Sequence, residues 1–408
     1  MQKKSVCVVG LGYIGLPTAA LLASSGYDVV GVDLNAHAVE TINQGRIHIV
    51  EPDLDAFVRS AVAAQRLKAF TTPQAGDIYM ICVPTPFHED GEIPRPNIDY
   101  VLAATRSIAG FVKAGDLVIL ESTSPVGTTE AMAQVLSDAG VDVSSIHMAY
   151  CPERVLPGKI MTELVENDRV VGGLTPAATE AVSAFYKTFV HGAVLETDAK
   201  TAEMCKLTEN SFRDVNIAFA NELSIVCDTL DLDVWEVIRL ANRHPRVNIL
   251  QPGPGVGGHC IAVDPWFIVD SDPQNARLIR TAREVNDGKA HYVFARTAAL
   301  ADAHPDAAIA CLGLSFKANI DDLRESPALE IAIELAKKYG DRVRVVEPHV
   351  DALPPAFDGT GATKVTLDQA LDDCGVLVVL VDHHEFRGVA ANRRAGKAIY
   401  DTRGLWPA

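Results

Sequence analysis

Residues 5–33 read SVCVVGLGYIGLPTAALLASSGYDVVGVD, and this stretch decides the fold of the first part of the chain. An apolar run is followed by three glycines, a helical stretch and a second apolar run that ends at Asp33, an order that predicts a βαβ unit. The spacing of Gly10, Gly12 and Gly15 lets a pyrophosphate approach the backbone at a helix N-terminus. Asp33 is placed to accept hydrogen bonds from the adenosine ribose and to repel a 2′-phosphate. The stretch therefore predicts a site for NAD rather than NADP.

Further strand-like runs continue this pattern along the chain. They cover residues 77–83, 117–120 and 146–149 and alternate with helical patterns, which predicts a parallel, doubly wound sheet. The segments VPTP and ESTSP follow two of these runs and present Thr85 and Thr123. Because ligands bind at the carboxyl edge of such sheets, both threonines are candidate ligand contacts, although plain turn chemistry is the alternative.

The middle of the chain has a different character. Residues 202–230 contain neither glycine nor proline and predict a long helix, and shorter helices are predicted at 234–241 and 275–286. Lys206, Asn210 and Arg213 stand at i, i+4 and i+7 on one face of the long helix, which by default is a solvated face. A glycine-rich loop, GPGVGG, then leads to Cys260 and, four residues later, Asp264. A thiol beside an NAD site is typical of aldehyde oxidation through a thioester.

The last hundred residues echo the first unit. The run 308–314 ends in a glycine loop, and the run 343–346 ends in Glu347 as the second N-terminal strand ends in Asp33; runs at 375–381 and 397–402 follow. We therefore predict an α/β protein with two Rossmann-like doubly wound domains joined by a central helical region with a long helix. The expected domains are residues 1–198 for NAD, 199–300 for dimerisation and catalysis, and 301–408 for the substrate.

Charge and cysteine usage exclude several classes of function. The 408 residues include 36 Lys and Arg against 53 Asp and Glu, and a net charge of −17 repels nucleic acid and anionic lipid. Neither a signal peptide nor an apolar run long enough to span a membrane is evident. The eight cysteines form no CxxC pair and no metal-like spacing with histidine, so reduced thiols, no metal and a cytoplasmic location are expected.

The sequence resembles the UDP-glucose/UDP-mannose dehydrogenase family from Val9 to Trp406, most closely its bacterial UDP-N-acetyl-D-mannosamine 6-dehydrogenases. The resemblance is carried by GLGYIGLPTAA, GVDLN, VPTPF, ILESTSPVGTTE, YCPERVLPG, TAEMCKLTENSFRDVNIAFANELS, NRHPRVNILQPGPGVGGHCIAVDPWF and FKANIDDLRESP, of which the last three are the most specific. It implies an NAD domain, a dimerising helical middle and a UDP-sugar domain. It also implies oxidation of the sugar C6 alcohol twice, to a carboxylate, for surface polysaccharide synthesis.

The resemblance also implies residue roles. Cys260 would be the nucleophile and Lys206 the general acid/base or oxyanion group, while Asn210 and Asp264 would position water and the developing oxyanion. The implied NAD contacts are Gly10, Gly12, Tyr13, Ile14, Gly15, Asp33, Thr85, Thr123 and Arg324. The implied UDP-sugar contacts are Arg154, Val155, Lys206, Asn210, Arg213, His244, Arg246, Gly257 and Lys317.

One departure from the family pattern affects both the mechanism and the substrate. UDP-glucose dehydrogenases resemble PEFLREG where this chain reads PERVLPG, so Pro157 replaces a glutamate implicated in thioester hydrolysis. Glu153 and Asp264 are then the candidates for activating water, and UDP-N-acetyl-D-mannosamine is favoured over UDP-glucose. Three alternatives stay open: another UDP-hexose or UDP-hexosamine substrate, a single-step hydroxy-acid dehydrogenase that needs no cysteine, and a nucleotide-sensing protein without catalysis.

Overall fold

A computed structural model describes residues 4–88, 93–258 and 260–406. The chain divides into two compact units, Met1–Glu209 and Asn210–Ala408. Among the described residues, no helix is at once long and apolar enough to cross a membrane.

The first unit is built around an eight-stranded sheet with the order β10-β9-β8-β7-β4-β1-β2-β3. Strands β5 and β6 form a separate two-stranded ribbon. The strands are β1 (Ser5–Val9), β2 (Asp28–Val32), β3 (Leu67–Phe70), β4 (Ile78–Ile81), β5 (Phe87–His88), β6 (Arg95–Pro96), β7 (Leu117–Leu120), β8 (His147–Tyr150), β9 (Arg169–Gly173) and β10 (Val194–Asp198). The helices are α1 (Gly15–Ser24), α2 (Ala36–Asn43), α3 (Leu54–Ala63), α4 (Asp99–Ile108), α5 (Thr128–Asp138), α6 (Ile160–Glu166) and α7 (Pro176–Tyr186).

Helices cover both faces of this sheet, as predicted for a doubly wound fold. One face packs against α1, α3, α6 and α7, and the other packs against α4 and α5. The central strands are therefore apolar on both sides; all four residues of β4 are buried, for example. Near-continuous apolar runs of this kind are typical of parallel sheets with two covered faces.

The predicted strands of this sheet, β1, β2, β4, β7 and β8, are parallel as expected, and one strand that was not predicted runs the other way. Strand β9 runs antiparallel to β8, with Tyr150 opposite Gly172, whereas β10 is parallel to β9. The connection between β8 and β9 contains only the seven-residue helix α6 and returns to the edge of the sheet that it left. Residues 151–168 consequently stay at the carboxyl edge, where ligands bind in sheets of this type.

The second unit contains a five-stranded, fully parallel sheet with the order β13-β12-β11-β14-β15, which confirms the predicted second Rossmann-like fold. Its strands are β11 (Ala308–Leu312), β12 (Val343–Val346), β13 (Thr363–Lys364), β14 (Cys374–Val379) and β15 (Ala398–Asp401). The remaining helices are α8 (Ala199–Thr229), which begins in the first unit, α9 (Val234–Ala241), α10 (Asp264–Ser271), α11 (Arg277–Asp302), α12 (Pro327–Tyr339), α13 (Leu367–Asp373), α14 (His384–Arg387) and α15 (Ala391–Arg394).

The central helical region follows the prediction with two differences, since α10 was not predicted and α11 is longer than predicted. The long helix α8 has 31 residues, and α9 has the predicted bounds. Helix α11 continues well beyond the predicted end at residue 286, through the Asp287-Gly288 pair that resembles a stop signal. The Arg283 guanidinium pairs with Asp287 one turn later on the same helix, and this contact stabilises the helix where the stop signal would end it.

Candidate active site

The glycine loop between β1 and α1 has the geometry of a dinucleotide site. A Cβ on Gly15 would lie 1.7 Å from the Gly10 carbonyl oxygen, so no side chain fits there. Around Gly12 no atom lies within 4 Å of the place that a Cβ would take, which leaves room for a ligand against the backbone. Helix α1 has no side-chain cap and no acidic residue in its first turn, so its N-terminal N–H groups are available to an anion.

Asp33 stands beside this loop. Its carboxylate accepts hydrogen bonds from the backbone N–H groups of Leu11 (3.0 Å) and Asn35 (2.8 Å), and it stays partly exposed. Tyr13 is 40% exposed and Ile14 is half-buried at the same loop. These residues fit NAD, because an exposed carboxylate that is held by the backbone can accept from the ribose hydroxyls.

The two predicted threonines lie together at the carboxyl edge of the sheet. Strands β4 and β7 are neighbours, and the Thr85 hydroxyl donates a hydrogen bond to the Thr123 carbonyl oxygen at 2.6 Å. Beneath them, the buried Glu121 carboxylate accepts hydrogen bonds from the Tyr186 hydroxyl (2.7 Å) and the Cys82 thiol (3.3 Å). Burial raises the pKa of Glu121.

The segment after β8 carries Glu153, Arg154 and Val155. The Glu153 carboxylate is buried and forms an ion pair with Arg169 at 2.8 Å, and it also accepts from the Arg154 backbone N–H at 2.6 Å. The Arg154 guanidinium pairs with Glu209 of α8 at 2.8 Å. Glu209 lies one turn from Lys206, so the first unit brings the PERVLPG segment next to the α8 face that carries Lys206.

In the second unit, Asn210 and Asp264 form a buried pair. The Asn210 side-chain amide donates to the Asp264 carboxylate, and both residues are less than a tenth exposed. Asp264 is the first residue of α10, and its backbone N–H donates to the Cys260 carbonyl oxygen at 2.8 Å. Cys260 therefore lies one turn before the helix, and it is exposed.

The loop before Cys260 is held firmly. The Gly253 N–H donates to Asn221 of α8 at 2.9 Å, and Asn221 donates to Asn286 of α11 at 2.8 Å. A Cβ on Gly257 would lie 2.2 Å from the Glu325 carbonyl oxygen, so the loop packs directly on the segment before α12. Sequence reasoning identified the loop but missed the two asparagines that anchor it, since they are separated by 65 residues.

A second nucleotide-type loop follows β11. Gly313 has a φ of 93°, as Gly10 does, and the backbone N–H of each donates to the last residue of the neighbouring strand at 2.8 Å. Ser326 caps α12 and donates to the Leu314 carbonyl oxygen at 2.6 Å. A cavity here is lined by residues of five segments, Pro254, Gly255, Ser315, Phe316, Lys317, Ser326, Pro327, Ala328, Leu380, Val381 and Arg403. Of these, sequence reasoning identified only Lys317.

The other predicted binding residues are surface residues of the second unit. Arg213, His244, Arg246 and Lys317 are exposed. Arg324 is exposed as well, and its guanidinium forms two hydrogen bonds with Asp322, at 2.8 and 2.6 Å.

His349, His383 and Glu385 offer ligand atoms within 4.8 Å of one another, in the part of the chain that the structure describes. Both ring nitrogens of His383 are already engaged: Nδ1 accepts from the Asn319 N–H at 2.9 Å and Nε2 lies 3.1 Å from Glu347. His383 is therefore held by hydrogen bonds between strand ends, and neither of its ring nitrogens is open to a metal ion.

Comparison with known proteins covers the whole chain. Residues 4–190 match the NAD binding domain of the UDP-glucose/GDP-mannose dehydrogenase family, residues 200–288 its central domain, and residues 310–408 its UDP binding domain. The chain is 56% identical to an NDP-N-acetyl-D-galactosaminuronic acid dehydrogenase from Ralstonia nicotianae, over 99% of this chain and 97% of the relative. It is 56% identical to a UDP-N-acetyl-D-mannosamine dehydrogenase from Yersinia pestis, over the full length of both.

Comparison with solved structures leads to the same family. A UDP-D-ManNAc dehydrogenase from Pyrococcus horikoshii superposes with a TM-score of 0.88 at 38% identity, covering 98% of this chain and 96% of the other. The glycine loop with Asp33, the glycine-anchored Cys260 and the second nucleotide-type loop all lie within the matched regions. This chain belongs to the UDP-glucose/GDP-mannose dehydrogenase family, and NAD is its cofactor.

Proposed function

We propose that the protein oxidises UDP-N-acetyl-D-mannosamine at C6, in two steps, to UDP-N-acetyl-D-mannosaminuronic acid for bacterial surface polysaccharide synthesis. The observation that carries this proposal is the exposed Cys260 thiol, which is held one turn before the buried Asp264–Asn210 pair in a chain with an NAD-binding unit. A thiol can retain the aldehyde between two oxidations, which a single-step hydroxy-acid dehydrogenase does not need.

Each residue of the proposed site has its own role in the two oxidations. NAD, when bound, accepts the hydride in each of the two oxidations. Lys206 takes the C6 hydroxyl proton, directly or through water. Cys260 adds to the resulting aldehyde as a thiohemiacetal, which is oxidised to a thioester, and water then releases the carboxylic acid and regenerates the thiol. Asn210 and Asp264 orient the water and the developing oxyanion.

We assign the activation of water to Asp264. Of the two candidates, Glu153 has each carboxylate oxygen engaged, one by Arg169 and one by the Arg154 N–H. Asp264 begins α10 one turn after Cys260, and the thioester would form on the Cys260 thiol. A carboxylate close to the acyl carbon is the geometry that general base catalysis requires.

The sugar is assigned from the acetamido group at C2. Relatives of equal identity carry the names of UDP-N-acetyl-D-mannosamine and NDP-N-acetyl-D-galactosaminuronic acid dehydrogenases, and both names specify N-acetylated sugars. UDP-N-acetylgalactosamine is therefore the second candidate substrate. The polar segments 151–154 and 242–246 are the proposed discriminating contacts, because a site that hydrogen-bonds an acetamido group rejects a sugar that lacks it.

We also propose a homodimer through α8. Phe212, Phe219 and Val226 recur every seven residues along this helix and are 69%, 56% and 46% exposed. A heptad of exposed apolar side chains on a long helix is typical of a helix–helix interface, and a second copy of the chain offers the same stripe. The proposed partner is therefore another copy of this chain.

The deciding experiment is an NADH absorbance assay of the purified protein with NAD and a panel of UDP-sugars. The proposal requires two NADH per molecule of UDP-N-acetyl-D-mannosamine and a uronic acid product in the mass spectrum. One NADH per sugar would reject the two-step oxidation, and no NADH with any UDP-sugar would favour a nucleotide-sensing protein.

A further inference from the structure

Arg169 is a buried cation that the proposed mechanism does not use. It begins β9, is 1% exposed, and its guanidinium pairs with Glu153 at 2.8 Å and donates to the Leu164 carbonyl oxygen at 3.2 Å. The reversal of β9 brings its first residue, Arg169, to the edge of the sheet where β8 ends and the segment with Glu153 begins.

The ion pair with Arg169 hinders the Glu153 carboxylate from accepting a proton. If Glu153 took a proton from water, the Arg169 charge would lose its partner in a buried setting, which costs several kcal/mol. Its other oxygen accepts from the Arg154 backbone N–H at 2.6 Å. The carboxylate is therefore arranged to hold the main chain of the next residue.

Arg154 is fixed from its other side as well. The Asn167 side-chain amide donates to the Arg154 carbonyl oxygen at 3.0 Å, so both backbone polar groups of Arg154 have side-chain partners. Its guanidinium reaches Glu209 of α8 at 2.8 Å. Arg169 thus holds Glu153, and Glu153 holds the backbone of Arg154. Arg154 in turn links the PERVLPG segment to the face of α8 that carries Lys206.

The Arg169 guanidinium also lies close to residues that support the proposed NAD contacts. The Arg169 guanidinium lies 5.6 Å from the centre of the Tyr186 ring, and the Tyr186 hydroxyl donates to Glu121 at 2.7 Å. Glu121 begins the ESTSP segment that carries Thr123. The buried network therefore joins the segment proposed to contact NAD to the segment proposed to contact the sugar.

We propose that Arg169 is a positioning residue for the UDP-sugar, which acts by fixing Glu153 and the Arg154 backbone, and that Glu153 is its structural partner rather than the base that activates water. This inference rests on the proposed function, since it concerns the same site. It extends that function by naming a residue of β9, outside the ligand-contacting segments, that controls the sugar contact.

The test uses Arg169→Lys, Glu153→Gln and the double variant, with Arg342→Lys as the matched control. Arg342 also donates to main-chain carbonyls, those of Ala301, His304 and Ala307, but lies in the second unit. The dissociation constant of UDP-N-acetyl-D-mannosamine is measured by calorimetry, kcat and KM by NADH formation, and acyl adducts on Cys260 by intact-protein mass spectrometry. Thermal unfolding of each variant reports its folding.

The two single variants should weaken UDP-N-acetyl-D-mannosamine binding and raise KM by about tenfold, which corresponds to about 1.4 kcal/mol. They should leave kcat within about twofold, because an interaction made equally in the ground and transition states changes KM alone. The double variant should be no worse than either single one, since both remove the same pair. Glu153→Gln should not accumulate a thioester.

Two results would overturn the inference. Unchanged binding in Arg169→Lys would remove the positioning role, and a thioester that accumulates in Glu153→Gln but not in Arg169→Lys would make Glu153 the base. If Arg169→Lys does not fold, Glu153→Gln alone still decides between these roles. If no UDP-sugar is oxidised by the unmutated protein, the proposed function fails, whereas the calorimetric comparison still judges the positioning role.

Discussion

Asp33 and Glu347 occupy the same place in the two halves of the chain: each follows the second strand of its fold and accepts the backbone N–H next to the loop glycine, Leu11 at 3.0 Å and Leu314 at 2.7 Å. The two carboxylates differ in how much of each is accessible to a ligand. Glu347 is 1% exposed and is also bonded to Ser315, His349 and His383. Burial alone would raise the pKa of Glu347, but the hydrogen bonds from His383 and from the His349 and Leu314 N–H groups lower it. Asp33 keeps an exposed edge, so of these two carboxylates Asp33 is the one that can accept a hydrogen bond from a ribose.

Replacing Asp33 by Asn should reduce kcat/KM for NAD by about tenfold or more, because a hydrogen bond to a charged group contributes about 1.5–3 kcal/mol. The gap between NAD and NADP should narrow, since the repulsion of a 2′-phosphate is lost. Initial rates with both cofactors check this, with Asp28→Asn at the start of the same strand as control. Equal use of NADP by the unmutated protein would contradict the role of Asp33.

Cys260→Ser should reduce turnover by about a thousandfold or more, equivalent to about 4 kcal/mol of barrier, because serine is a poor nucleophile and a poor leaving group here. UDP-sugar binding should persist, as measured by calorimetry. Cys374→Ala, a buried cysteine of β14, is the control for loss of a thiol. A serine variant with near-normal turnover would reject the thioester route.

UDP-glucose should be oxidised at least ~100-fold less efficiently than UDP-N-acetyl-D-mannosamine, because two polar groups left without acetamido partners cost about 1–3 kcal/mol each. Measurement of kcat/KM for both sugars and for UDP-N-acetylgalactosamine checks this. The third sugar decides between the two acetamido candidates. Equal efficiency with UDP-glucose would show that the site does not read C2.

Stability should rise with pH between about 8 and 10.5 through one buried lysine. Burial lowers the pKa of Lys289 from 10.5 to about 8. Between these values the unfolded chain holds a proton that the folded chain has lost, so raising the pH favours folding. Lys289→Met should remove this part of the pH dependence of the unfolding free energy, whereas Lys337→Met, at an exposed position of α12, should not. Parallel pH profiles for Lys289→Met and the unmutated protein would contradict it.

Phe219→Glu should turn the proposed dimer into a monomer of 43.7 kDa in sedimentation experiments, because a charge in the centre of an apolar helix interface is unpaired and desolvated. Leu278→Glu is the control, since Leu278 is an apolar residue outside the stripe that is even more exposed than Phe219. A Phe219→Glu variant with the mass of the unmutated protein would exclude α8 as the interface.

The sequence was most informative where chemistry and backbone geometry coincide. The glycine loop, Asp33 and the repeat at Gly313 and Glu347 follow from local spacing, and the structure confirms the two Rossmann-like folds. The direction of β9 could not be predicted, because the composition of RVVGG does not depend on which way the strand runs. The direction follows from the short connection that precedes the strand. The Glu153–Arg169 pair depends on that direction and was missed for the same reason. Asn221 and Asn286 were missed because a buried amide pair leaves no periodic signal.

The reversal of β9 also has a consequence for how sugar preference can change. Both ends of residues 151–168 lie at one edge of the sheet. Within this segment, α6 packs on the sheet through Ile160, Met161 and Leu164, so its position is fixed by the core. The loop before α6, residues 156–159, can change in length without shifting a strand register, and the entropic cost of added length is small. Exchange of this loop between family members, with Glu153 and Arg169 kept, is therefore a way to alter the proposed sugar preference.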